Sequence, residues 1–197
     1  MRLELPPGGA VSEAMLSERL GIGRTPIREA LQRLARERLV AILPRRGIIV
    51  SPIDVAAQLR LLEVRREIER LVARSAARRA TPEERSRFAE LAKAFERAAR
   101  TGDDVAFLRI DREFNELCLE TARNEFATTA MQLMASLSRR FWYLHYKQAA
   151  DMPETAKLHA DIARGIAGGQ PDAAGRAADA LLDNIETFTR NTVSTDF

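Results

Sequence analysis

Residues 12–50 leave few choices of fold. They read SEAMLSERL, GIGR, TPIREALQRLARERLV and AILPRRGIIV: a short amphipathic segment, a glycine turn, a second helical segment and two β-branched runs. Ser12 is placed to cap the first helix. Met15, Leu16 and Leu20 fall on its inner side, and Gly21 suits a left-handed C-cap. For the second helix, the Thr25 hydroxyl is the expected N-cap and Pro26, with φ already set, the first helical residue. Ile27, Ala30, Leu31 and Leu34 then recur at helical spacing, while Arg28, Gln32, Arg33 and Arg36 lie elsewhere on the wheel. Leu39–Leu43 and Gly47–Val50, bridged by Pro44-Arg45-Arg46, read as a hairpin with a basic tip.

Two short helices joined by a glycine-containing turn form a helix-turn-helix, whose second helix enters the major groove of DNA by its N-terminal residues. Arg24, Thr25 and Arg28 are therefore the expected readers, and Arg45, Arg46 and Gly47 the expected contacts of the wing. The charge distribution agrees with this reading. Residues 1–50 hold nine Arg and five Glu, a balance of +4 against +3 for the whole chain, so the remainder carries −1. A cationic excess confined to one segment is what phosphate contact needs, whereas a uniformly basic surface would serve solubility.

At this point the sequence resembles the winged-helix head of the GntR family of bacterial transcription regulators, through SE..LSERLGIGRTPIREALQRL and the PRRGIIV wing. Heads of that family carry a further helix before the Leu-x-Pro-Gly turn. Here LELPPGG stands at residues 3–9, so the resemblance implies a head lacking that first helix, with apolar surface left exposed on the two motif helices.

Ser51-Pro52 ends the wing, and Asp54 can cap the next helix, giving expected domains of 1–51 and 52–197. The second is all helical. Helices are expected over 54–79, from Thr81 with a capping-box pattern to about 100, over 103–121, 124–146, 153–167 and 171–190. The predicted fold is thus mainly α: a winged helix-turn-helix on a bundle of about six helices. No apolar run is long enough to cross a membrane, no signal peptide opens the chain, and the single cysteine, Cys118, excludes an internal disulfide framework. These features point to the cytoplasm.

Helical wheels turn several polar residues inward. Asp111 and Asn115, one turn apart, fall within an apolar arc of Phe107, Phe114, Leu117 and Cys118. His159 lies between Ile166 and Ala163, Asn184 at the edge of an arc holding Leu181 and Phe188, and Arg65 between Val72 and Ala76. Trp142 and Tyr146 add aromatics with a polar edge. A bundle interior with an acid, an imidazole, two amides and a guanidinium is how a helical ligand site is built. The competing account is a satisfied hydrogen-bond network that only fixes packing.

LEVRREIE, RIDREFNELCLETARNEF and KLHADIARGIAGGQPDAA resemble the FCD effector and dimerisation domain of the FadR-like branch of the family. That resemblance implies a homodimer on double-stranded, pseudo-palindromic operator DNA, acting as a repressor, with a small organic acid as effector. It also implies a divalent metal, zinc or similar, held by one Asp and three His. Asp111 and His159 match, while Asn115 and Asn184 stand where histidines would, and amide oxygen is a poor zinc ligand. No nucleophile, phosphate loop or metalloprotease motif is present, so no enzyme is expected. Two rivals remain: an enzyme built on a metal at Asp111 and His159, and a helical ligand-binding or adaptor protein whose head does not bind DNA.

Overall fold

The computed structural model describes residues 4–44, 47–149 and 151–192, with residues 146–149 described by backbone alone. In the head, strand β1 (Ala10–Val11) precedes helices α1 (Glu13–Leu20) and α2 (Arg24–Arg36) and strands β2 (Val40–Leu43) and β3 (Gly47–Val50). β3 is central, antiparallel to both neighbours, with Val40 opposite Val50, Leu43 opposite Gly47 and Ala10 opposite Ile49. Gly47 starts β3 at φ +91°, a conformation open to glycine at no steric cost.

The caps of α1 are as expected: the Ser12 hydroxyl accepts from the Met15 amide at 3.1 Å, and Gly21 ends the helix in the left-handed region. The start of α2 differs. Gly23 is its N-cap, Arg24 its first residue, and Thr25 makes no capping hydrogen bond. The free amides of the first turn are therefore left without a side-chain acceptor, a feature that bears on anion contact. The head core is Val11, Leu16, Ile27, Leu31, Val40, Ile48 and Val50. Met15 and Leu20, expected inside, are 38% and 57% exposed, and Ala30 is exposed too. The sheet and α2 cover only the Leu16 side of α1, so one face of the motif carries apolar surface.

The bundle adds six helices: α3 (Val55–Arg79), α4 (Pro82–Thr101), α5 (Asp104–Ala122), α6 (Glu125–Ala149), α7 (Met152–Ala167) and α8 (Pro171–Asn191). Asp54 caps α3 by accepting from Ala57 N at 2.6 Å, and Thr81 with Glu84 forms the full capping box of α4. α3, α4, α5, α7 and α8 enclose one core around Phe88, Phe95, Phe114, Leu117, Ala160, Ala163 and Ile166, while α6 packs chiefly along α3.

Small residues set the closest approach. A Cβ on Gly165 of α7 would come within 2.8 Å of the Ala174 amide nitrogen and 2.9 Å of its Cα, on α8. The missing side chain thus lets two backbones meet, and further along the same pair of helices Thr155 meets Asn184. Gly165→Ala should destabilise the protein by about 1–3 kcal/mol, since the rigid α8 backbone must move. Urea unfolding checks this; an unchanged midpoint would mean that the α7–α8 approach is not tight.

Candidate functional site

At the head, Arg24 and Thr25 stand exposed in the first turn of α2, at the helix end where unbonded amides concentrate partial positive charge. Gly47 is exposed at the wing, and Arg45 and Arg46 lie outside the described residues. Arg28 is paired within the head. Its Nε and one terminal nitrogen each donate to the Glu13 carboxylate at 2.8 Å, in a forked pair that ties α2 to α1. The Arg28 hydrogen bond holds the Glu13 carboxyl below its ordinary value. In this geometry Arg28 braces the two motif helices against each other while staying largely exposed. Glu13 was invisible as its partner because the pair forms across the turn, 15 residues apart, outside any wheel or i,i+4 rule.

In the bundle the structure joins four of the polar residues into one chain of hydrogen bonds. The Asn115 amide donates to Asp111 Oδ1 at 2.9 Å, and the same oxygen lies 3.1 Å from His159 Nε2. His159 Nδ1 is 2.8 Å from the Thr155 carbonyl oxygen, and the Thr155 hydroxyl donates to Asn184 Oδ1 at 3.3 Å. Thr155, which no wheel singled out, is the link between α7 and α8. His159 is buried, and its ring sits among Phe95, Phe107 and Phe114, with centroids 5.0, 5.6 and 5.8 Å away.

Burial in this phenyl cage opposes the charged imidazole, but the hydrogen bond and charge of Asp111, with the Thr155 carbonyl, outweigh it. The His159 pKa is therefore raised above its ordinary 6.5. A raised folded-state pKa gives stability that is complete below pH about 6.5 and is lost as pH rises through the folded value. The thermal midpoint of the wild type should fall between pH 6 and pH 8, and the fall should shrink in Asp111→Asn. An equal fall in both would show that the pair does not govern the titration.

Two expectations are corrected. Asn115 is exposed rather than turned into the core, because α5 is covered by α3, α4 and α7 and Asn115 lies on the flank that none of them reaches. Arg65 is half-buried as expected but is not free: it forms an ion pair with Glu69, one turn along α3. Glu69 was missed as a site residue. Its charge acts on both His159 and Cys118, which places the Arg65–Glu69 pair beside the α5–α7 set. Trp142 is half-buried with its ring 4.9 Å from that of Phe188, and the Tyr146 side chain lies outside the described residues.

The donor set does not fit a tight zinc centre. Among the described residues no group of three His, Cys, Asp or Glu side chains converges. Asp111 and His159 supply one carboxylate and one imidazole. The Asn115 amide spends a donor on Asp111, and the Asn184 oxygen accepts from Thr155. Zinc or manganese added in equimolar amount should leave the thermal midpoint within about 1 °C, whereas a nanomolar site would raise it by several degrees. A large, chelator-reversible rise would contradict the hydrogen-bond description.

With this geometry in view, the comparisons decide the family. The model of the bacterial regulatory proteins of the gntR family matches residues 1–50, and that of the FCD domain matches residues 60–184. The chain belongs to the GntR family. It is a transcription regulator with a helix-turn-helix head and an FCD effector-binding domain. The HTH-type transcriptional repressor RspR of Escherichia coli (strain K12) is 28% identical over 94% of this chain and 82% of its own length. The regulator McbR of the same organism is 25% identical over 79% of this chain and 69% of its own. The solved structure of E. coli McbR/YncC shares the fold, with a TM-score of 0.76 at 19% identity over 95% of this chain and 89% of that one. No described helix is long and apolar enough to cross a membrane.

Proposed function

We propose that the protein is a homodimeric repressor that binds a pseudo-palindromic operator through residues 1–51 and releases it in response to a small organic acid taken up by residues 52–197. The single observation that carries this reading is the polar set linked across the bundle, running from exposed Asn115 through half-buried Asp111 to buried His159. Asp111, Asn115, His159 and Asn184 arrive from three helices and join through Thr155, with the Arg65–Glu69 pair from a fourth alongside. A packing network alone would not explain an arginine there: Arg65 can exchange Glu69 for a ligand carboxylate of the same geometry. The effector's carboxylate is held by Arg65 and by hydrogen bonds from the Asn115 and Asn184 amides and the His159 imidazole, which Asp111 orients, with Trp142 as an apolar boundary and no metal between. Nothing in this set forms a nucleophile and base, so the chemistry is binding and not turnover.

Dimerisation follows from the head. One α2 reads few base pairs, and two-fold symmetry doubles the site. An acid that favours one arrangement of the two heads shifts operator affinity by the difference in its own affinity for the two arrangements. Exposed Leu71 on α3 supplies apolar surface for the pairing. RspR is named a repressor, which supports the same direction of control here.

The experiment is fluorescence anisotropy on an operator recovered by selection from random duplexes. Arg24→Ala should weaken binding by about 1–3 kcal/mol, the size of one base-edge contact, with an unchanged thermal midpoint. Glu13→Ala should also weaken binding, since it frees Arg28 from α1, with little change in head stability because the pair is exposed. Full affinity in Arg24→Ala would show that α2 does not enter the groove by its first turn.

A further inference from the structure

A cleft of about 500 Å³ separates the head from the bundle. The end of α2, the connector Ser51–Asp54, the start of α3 and the middle of α6 line it. Deep in this cleft lies Arg140, only 6% exposed. Its one hydrogen bond among the described residues is donated to the Ser51 carbonyl oxygen at 2.5 Å, and none of the described carboxylates pairs with it. Three other sheltered arginines have carboxylates, Arg65 with Glu69, Arg66 with Asp183 and Glu186, and Arg70 with Asp179, while Arg85 is satisfied by the carbonyl oxygens of Ala77, Ala80, Ile166 and Ala167; Arg140 has neither a carboxylate nor such a set of carbonyls among the described residues. Arginine cannot escape burial by losing its proton, so an uncompensated buried guanidinium is costly and calls for an anion. Burial without a countercharge pulls its pKa down.

Gln58 lines the same cleft and is also 6% exposed, with a side-chain amide that can donate to an occupant. The charge at the mouth has the same sign. Arg36, Arg38 and Arg60 line it, against Glu37 and Asp54, and both acids are occupied, Glu37 with Arg33 at 3.2 Å and Asp54 with the Ala57 amide at 2.6 Å. α2 spans about 20 Å, which puts this cleft at the far end of the helix from Arg24 and away from the DNA-facing turn.

The geometry points to a second ligand site at this junction: the cleft takes a small multivalent anion bearing carboxylate or phosphate groups, with Arg140 as its anchor and Gln58 as its second donor. A guanidinium with unused parallel N–H groups matches either planar carboxylate or phosphate in forked fashion. The volume suits a molecule of metabolite size. Its walls come from both domains, so the bound anion ties the end of α2 to α6 and fixes how the head sits on the bundle. This site shares no residue with the Asp111–His159 set.

The test uses the full chain and no DNA, so it is independent of operator binding. Trp142, the only tryptophan, lies two residues from Arg140 on the same helix, so its fluorescence reads changes in α6, and the Arg140→Gln variant assigns them to the cleft. Citrate and pyrophosphate are titrated at constant ionic strength, with chloride as reference, while tryptophan fluorescence and the thermal midpoint are read. Saturable binding of either anion is expected, weakened about tenfold or more in Arg140→Gln and in Gln58→Leu. Removing the buried cation should leave Arg140→Gln at least as stable as wild type without anion; if that variant does not fold, Gln58→Leu and Arg60→Gln carry the comparison. Four results would overturn the proposal: no saturable response to citrate or pyrophosphate, a response equal to that of chloride, one that Gln58→Leu retains in full, or filling of the cleft by self-association, seen as a protein-concentration-dependent Trp142 signal that the anions do not alter.

Discussion

The contact on which the bundle depends is the one between Asp111 and His159. A buried imidazole, enclosed by three phenyl rings, meets at 3.1 Å a half-buried carboxylate that compensates the cost of charging it. The Thr155 carbonyl fixes the ring on its second nitrogen. The helices that carry them are held close by small residues, Ala160 and Ala163 in α7 and Gly165 against Ala174 of α8. Packing therefore sets the distance at which the polar pair forms, and the pair makes that packing specific to one register.

The head obeys a different rule. It is small, with a core of seven buried side chains, and it relies on local devices: the Ser12 cap, the left-handed Gly21 and the forked Arg28–Glu13 pair across the turn. The pair is exposed, so its effect is geometric more than energetic. It fixes the angle between α1 and α2 and leaves Arg24 and Thr25 at the open end of the reading helix. Arg140 makes the connection between head and bundle, with its hydrogen bond to Ser51 at the end of the wing.

Most of the architecture was legible in the residues. Asp54, Thr81 with Glu84, and Asp103 announced helix starts through short-range hydrogen bonds that depend only on neighbours in sequence. Apolar period placed His159 inside correctly. The misreadings share one cause, since a wheel gives the direction of a side chain but not what covers it. Asn115 lies on an apolar arc and is exposed, and Met15 and Leu20 face inward on paper and meet solvent. Partners from distant segments, such as Glu69 beside the α5–α7 set, Thr155 with Asn184 and Ser51 with Arg140, carry no local signal. The start of α2 was misplaced by two residues because glycine can cap as well as threonine, and Pro26 is compatible with any position in the first turn.

The proposed function requires that the bundle interior and the head be coupled. The decisive measurement is the operator dissociation constant in the presence of a panel of small mono- and dicarboxylic acids, for the wild type and for Arg65→Gln. At least one acid should shift the wild-type constant by about 5- to 150-fold, the usual range of such coupling, and Arg65→Gln should abolish the shift while binding operator normally without acid. An operator affinity indifferent to every acid, or a shift that Arg65→Gln retains, would contradict that coupling.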